Sequence, residues 1–327
     1  MSNQSLDFQQ KLLVIHQQQA NLYPEFQKLI SSYFDPLSTP IDIYVHASLF
    51  KSNIFSCHKK IPQLTYYQSS GTSGNPSQIF FSREESIIHQ RHLLTTIRNF
   101  QQISPSSVFL QINPQQLNNN ANKAASRGFS LLAKKRFTLP EEPEQIIEVL
   151  TKVSKAYEQI IIFGFTYELY EFINKLSDSF GACFDHTSFV FLHGGGWKKM
   201  YNLNITNNDL VKKIRRTFPD SAILNYYGMI EQIGNVYPMC EHENHHCDNS
   251  NDIVIRNSYG QNVGMNSTGL IQSISLLPRS YPGHSLLTED LGIITGINSC
   301  PCGRPGKTFK VLGRIEKAEI KGCSDAY

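Results

Sequence analysis

The stretch that decides the fold is Tyr66–Glu85, YYQSSGTSGNPSQIFFSREE. From Ser69 to Ser77 it holds only small, polar or turn-forming residues. Ser69, Ser70, Gly71, Thr72, Ser73 and Gly74 expose backbone N–H groups and hydroxyls, which make a nest for phosphate oxygens. Gly71 and Gly74 permit positive φ and close approach. The run reads as a loop between a strand and a helix. Ser82 is followed three residues later by Glu85, the capping-box spacing, and Ile87, Ile88, Leu94 and Ile97 then supply an apolar helical face. Taken alone, such a loop is equally an ordinary turn. No Lys-Ser/Thr follows its last glycine, which disfavours a P-loop nucleotide hydrolase.

Outward from the loop, apolar strands alternate with amphipathic helices. SVFLQIN, RFTL, QIIIFGF, TSFVFLH and AILNYYG read as strands. Helices are expected over about 120–133, 142–157, 167–179 and 207–218. This alternation predicts a mostly parallel sheet covered on both faces, hence an α/β fold. Upstream, residues to about Tyr33 read as helical, and LFKSNIF as a short strand or turn. From about Asp252 the segments DIVIRN, GLIQSISLL, LGIITGI and FKVLGRIE are short strands broken by Gly, Pro and Asn. The expected division is therefore an α/β core with a helical N-terminal segment over 1–250 and a β-rich subdomain over 251–327.

The 327-residue chain is 40% hydrophobic, enough to bury a real core, and its net charge of +3 is weak for its length. The basic runs at Lys212–Arg216 and Lys134–Arg136 read as solvated helix faces or element ends, so no nucleic-acid partner is expected. The N-terminal MSNQSLDFQQ lacks a signal-peptide pattern, and no apolar run nears the roughly 20 residues of a membrane span. Seven cysteines, an odd count, fit thiols or metal ligands in a reducing cytoplasm.

Four segments carry a resemblance. SSGTSGNP looks like the phosphate-binding signature of the adenylate-forming superfamily, which activates carboxylic acids with ATP. NYYGMIE (Asn225–Glu231) resembles its aromatic-Gly-x-x-Glu segment, SLLTEDLGII its Thr-x-Asp segment, and VLGRIEKAEIKG its Gly-Arg hinge segment. They occur in the superfamily's order. The resemblance implies phosphates on Ser69–Gly74, adenine near Tyr227 and Gly228, magnesium on Glu231, and ribose between Asp290 and Arg314. HGGGWKK (His193–Lys199) and the terminal KGCSDAY narrow the family. They are similar to segments of the LuxE-type acyl-protein synthetases and, more distantly, of phenylacetate–CoA ligases. The resemblance covers about Leu49 to the C-terminus.

That resemblance implies an adenylate-forming large domain with a β-rich C-terminal subdomain and without the superfamily's swinging C-terminal domain. It places Gly194, Gly195, Gly196 and Trp197 beside the adenine or the acyl pocket. It makes Cys323 the residue that takes the acyl group as a thioester; Lys321 close by would favour its thiolate. The swinging domain normally brings a lysine for adenylation, and Lys198, then Arg304, are the cations expected to replace it. The implied substrates are ATP with Mg2+ and a carboxylic acid, here a fatty acid. The acceptor is a protein thiol; the alternatives are that the chain ligates the acid to CoA or a carrier protein without a Cys323 intermediate, or that it is a non-catalytic binding subunit.

Four further thiols fall in two pairs. Cys240 and Cys247 flank EHENHH, and Cys300 and Cys302 sit in NSCPCGRPG. Such a set suits a tetrahedral, structural zinc, with His245 and His246 as substitutes for Cys247. Some phenylacetate–CoA ligase relatives resemble this arrangement. Cys57 and Cys183 read as buried or incidental.

Overall fold

The computed structural model describes residues 3–33, 39–52, 64–68, 77–112, 120–177, 188–195 and 203–315. In chain order its main elements are α1 (Asn3–Leu22), α2 (Pro24–Tyr33), β1 (Val45–His46), β2 (Leu64–Gln68), β3 (Gln78–Ser82), α3 (Arg83–Phe100), β4 (Ser107–Gln111), α4 (Asn120–Ser130) and β5 (Lys135–Thr138). There follow α5 (Pro143–Ser154), β6 (Gln159–Phe165), α6 (Thr166–Ser177), β7 (Ser188–Gly194), α7 (Asn207–Thr217), β8 (Ala222–Gly228) and β9 (Val236–Pro238). The last five are β10 (His245–His246), β11 (Asn251–Arg256), β12 (Gly269–Ser275), β13 (Ser285–Ile297) and β14 (Lys307–Arg314).

The first sheet has the order β5-β4-β6-β7-β8-β9, parallel throughout except for the antiparallel β9. Strand β6 shows why QIIIFGF becomes its centre. Ile160 and Ile162 pack with Leu150 of α5, Phe172 of α6 and Leu210 of α7. Ile161 and Phe163 face the other way, against Leu93 and Ile97 of α3 and Phe129 of α4. A strand covered on both faces needs no polar alternation, and each such side chain contributes about 1.5–3 kcal/mol on burial. Strand β5 is an exposed edge.

The second sheet runs β10-β14-β13-β12-β11, with β1 added in parallel to β13. The N-terminal helices pack on this sheet. Leu12 clusters with Val254 and Ile274, Tyr23 Oη donates to Ser280 O at 2.6 Å, and His16 Nδ1 lies 2.8 Å from His284 Nε2. The N-terminal helices therefore pack with strands of residues 251–297.

Two local expectations change. The Ser69–Ser77 run does not lead from a strand into a helix. It joins the antiparallel strands β2 and β3, with Gln68 opposite Gln78, and α3 begins only after Ser82. Second, the capping box at Ser82 is half formed. Ser82 Oγ accepts from Glu85 N at 3.1 Å, but the Glu85 carboxylate turns away to accept from Arg279 N at 2.7 Å and Ser280 N at 3.0 Å. A complete capping box forms at Thr206 with Asp209, opening α7.

His92 of α3 ties this helix to the second sheet. Its Nε2 lies 3.1 Å from Asp248 Oδ2, and Nδ1 lies 3.1 Å from Gly234 O. Both neighbours are acceptors, so both ring nitrogens are served when protonated. Desolvation lowers the imidazole, but Asp248 and the Gly234 carbonyl outweigh it and leave the group raised above 6.5. The stability this adds is fully present below the unfolded value and is lost as pH rises through the folded one. Denaturation midpoints of the wild type and His92→Gln should thus differ most near about pH 6 and converge by about pH 9. A gap that stays constant over that range would contradict this account.

Candidate active site

Strand β8 sets the geometry. Its side chains alternate, so Tyr226 enters the core under α4 while Tyr227 faces the second sheet. Tyr227 Oη donates to Asp290 Oδ2 at 2.8 Å. Asp290 lies on β13 directly opposite Arg314 of β14, whose Nε donates to Asp290 Oδ1 at 3.0 Å. Asp290 N is hydrogen-bonded to Thr288 Oγ1 at 3.1 Å. The carboxylate is thus gripped on both oxygens and retains lone pairs for a ligand. Burial, then the Asp290 charge, holds the Tyr227 phenol well above its ordinary range, so it stays a donor.

Glu231 sits in a single 3-10 turn, Ile230–Gln232, just past β8. The turn is anchored by its buried neighbour, since Gln232 Nε2 donates to Ser273 O at 3.1 Å and Gly283 O at 2.8 Å. Burial pushes the Glu231 carboxyl up, and a hydrogen bond from the Ser77 hydroxyl, with the charges of Lys51 and Arg314, opposes the rise. One cleft is lined by Ser48, Lys51, Glu231, Thr288, Asp290 and Arg314. Ser77 is the last residue of the bare run, so that run ends at this cleft.

At the HGGG segment the two described glycines have distinct reasons. A Cβ at Gly194 would stand 2.5 Å from Tyr226 O and 2.8 Å from its ring, so the close approach there is to β8. Gly195 has φ +64°, the left-handed turn that ends the strand. His193 before them is fully buried, 3.0 Å from Thr166 Oγ1, and burial followed by His245 pushes it down to about 3.

Of the residues expected in the site, the structure brings together Tyr227, Glu231, Asp290 and Arg314, with Gly228 on the same strand as Tyr227. Ser69, Ser70, Gly71, Thr72, Ser73, Gly74, Gly196, Trp197, Lys198 and Cys323 lie outside the described residues. Arg304 is elsewhere: its guanidinium lies 3.2 Å from Glu241 Oε2 and 4.7 Å from the centre of the Phe100 ring, lining a separate cavity beside Cys240. Sequence reasoning missed Lys51. Its segment read as a strand or turn and forms a 3-10 turn, Ala47–Ser52, that delivers the lysine to the cleft.

The thiol cluster is also corrected. Cys240, His246, Cys300 and Cys302 place one ligand atom each within 4.8 Å of all the others. Cys247 is not among them. Along β10 the side chains alternate, and Cys247 goes into the apolar cluster of Ile253, Ile255 and Phe309 while His246 faces the 300–302 turn.

A family model described as acyl-protein synthetase, LuxE, matches residues 7–327. Several solved structures are similar. A 2-hydroxyisobutyryl-CoA ligase in complex with 2-HIB-AMP and CoA matches with TM-score 0.72 and 14% identity, over 95% of this chain and 68% of that one. The o-succinylbenzoate CoA synthetase of Bacillus subtilis, in complex with ATP and magnesium, gives TM-score 0.54 and 18% identity, over 79% and 51% of the two chains. A long-chain-fatty-acid–CoA ligase of Archaeoglobus fulgidus gives TM-score 0.54 and 13% identity, over 79% and 52%. No curated protein sequence is significantly similar to the chain.

Proposed function

Because this chain belongs to the LuxE acyl-protein synthetase family and has the fold of adenylate-forming CoA ligases, we propose that it activates a fatty acid with ATP and hands the acyl group to a protein thiol. The carboxylate oxygen attacks the α-phosphorus, the bond to pyrophosphate breaks, and acyl-AMP forms. A thiolate then attacks the acyl carbon and AMP leaves.

The observation that carries this reading is the grip on Asp290 by Tyr227 and Arg314, in one cleft with Glu231. A fixed carboxylate with free lone pairs is the acceptor that two adjacent ribose hydroxyls require. Glu231 and the Ser77 hydroxyl offer hard oxygen donors of the type magnesium prefers, and the ion would neutralise phosphate charge there. The reading places phosphates on Ser69–Gly74, beginning where Ser77 meets Glu231. Among the described residues, Lys51 and Arg314 are the cations whose charges act on Glu231, and Lys51 takes the role expected of Arg304. Lys198 and Trp197 would approach from the glycine turn after β7, and Cys323 would accept the acyl group. No helix among the described residues is long and apolar enough to cross a membrane.

The test is carboxylate-dependent exchange of pyrophosphate into ATP by the purified chain across acids of increasing length. Exchange is expected with long-chain acids, together with hydroxylamine-labile acyl label on the protein that is lost in Cys323→Ala. Label that instead reaches CoA and survives Cys323→Ala would replace acyl-protein transfer by CoA ligation. Absence of exchange with every acid would refute activation altogether.

A further inference from the structure

We propose that Cys240, His246, Cys300 and Cys302 bind one zinc ion, and that this ion clamps the turn of the β13–β14 hairpin to the edge of the parallel sheet. The proposal is independent of the reaction assigned above. Zinc–sulfur and zinc–nitrogen bonds of about 2.3 and 2.0 Å, set tetrahedrally, put two sulfurs about 3.8 Å apart and a sulfur and nitrogen about 3.5 Å apart. Cys240 Sγ lies 3.7 Å from Cys300 Sγ, and Cys302 Sγ lies 3.4 Å from His246 Nε2. The sulfur separation is far beyond the roughly 2.05 Å of a disulfide. A Cys240–Cys300 bridge would also leave Cys302 and His246 facing one another for no reason.

Polar groups surround the sulfurs. Backbone N–H groups of Asn244 and His242 donate to the Cys240 sulfur, and that of Arg304 donates to the Cys302 sulfur. Asn244 Nδ2 lies 3.7 Å from Cys300 Sγ. Three thiolates around a divalent ion leave a net negative charge, and the Arg304 side chain, hydrogen-bonded to Cys302, offsets it. This gives Arg304 a place among the ligand supports. Four protein ligands leave no position for water, so the ion is structural, and zinc is the metal such a Cys3His set selects.

The ligands come from three places. Cys240 follows β9, the antiparallel edge of the first sheet. His246 lies on β10, at the edge of the second. Cys300 and Cys302 lie in the turn between β13 and β14. The same hairpin carries Asp290 and Arg314 at its other end, seven residues from Ile297, or roughly 20 Å along the strand. The ion therefore fixes one end of the hairpin whose other end forms the cleft.

The test uses the full chain purified without a metal-chelating tag. Elemental analysis should give about one zinc per chain, and X-ray absorption at the zinc edge a shell of three sulfurs and one nitrogen. Cys247→Ser should keep the zinc, and His246→Ala and Cys300→Ser should lose it. A chain without zinc, a four-sulfur shell, or zinc lost in Cys247→Ser but kept in His246→Ala would overturn the assignment. The absorption spectrum of the wild type decides even where a variant fails to fold. The clamp is read by hydrogen exchange after chelation. Protection should fall by an order of magnitude or more in β13 and β14 and stay unchanged in β6; equal protection with and without metal would overturn it.

Discussion

Asp290→Ala is expected to lower kcat/KM for ATP in the exchange reaction by roughly 10²–10⁴-fold. A carboxylate that accepts from two ribose hydroxyls makes two hydrogen bonds to a charged group, each worth about 1.5–3 kcal/mol, and each 1.4 kcal/mol is a factor of ten. Little of the loss should come from misfolding. Arg314, the cation left behind, is 62% exposed on its side chain and returns readily to water. The buried Tyr227 hydroxyl loses its acceptor, which costs about 1–3 kcal/mol of stability but leaves both sheets intact. Asp290→Asn keeps one acceptor and should fall between the two. Steady-state exchange at varied ATP checks the order wild type, Asn, Ala. A wild-type KM for ATP in the alanine variant would remove Asp290 from the nucleotide site.

Glu85→Ala should cost about 3 kcal/mol or more of folding free energy, the largest stability effect expected of a single polar side chain outside the cleft. The side chain is 3% exposed, and its carboxylate accepts from Arg279 N, Ser280 N and the Ser280 hydroxyl, with His89 Nε2 3.4 Å away. Alanine would leave those donors without an acceptor and open the seam between α3 and the loop before β13. Desolvation raises the carboxyl, yet the hydrogen bonds from His89, Arg279 and Ser280 outweigh it and hold the group below its ordinary range. A depressed carboxyl adds stability above its unfolded value, and this is lost as pH falls through the folded one. Urea midpoints of wild type and Glu85→Gln should therefore differ clearly at neutral pH and draw together below about pH 4. Equal midpoints at pH 7 would show the carboxylate to be dispensable.

The parallel sheet was legible because its central strands are buried on both faces. QIIIFGF and AILNYYG have the expected limits, since a continuous apolar run needs no partner to be recognised. Strand β3 was missed although Ile79 and Phe81 alternate with half-buried neighbours, because the strong helix start at Ser82 drew the reading toward a loop running into α3. Glu85 had two possible partners, its own cap and a loop almost 200 residues away, and sequence spacing sees only the first. The metal cluster was half legible. The two cysteine pairs carry the signal, but period-two alternation separates His246 from Cys247 without saying which faces the turn. Asp290 and Arg314 were expected near one ribose only by resemblance; the cross-strand register supplies the physical link. Lys51 gave no signal, because a single lysine in a short irregular turn looks like any exposed one.

The pairing of Val45 with Leu286 has a consequence for synthesis. On a ribosome moving at about 5–20 residues per second, the N-terminal helices leave the exit tunnel roughly 10–50 s before the strands that cover them exist. The parallel sheet, drawn from residues 107–238, can close in that interval. Leu12, Ile15, Tyr23 and Phe26 cannot, and their apolar sides stand bare until residues 254–286 have been made. Nascent copies thus pass through a stage in which residues 3–33 lack the strands that cover them, and a chaperone that holds these helices would act while that cover is still being made.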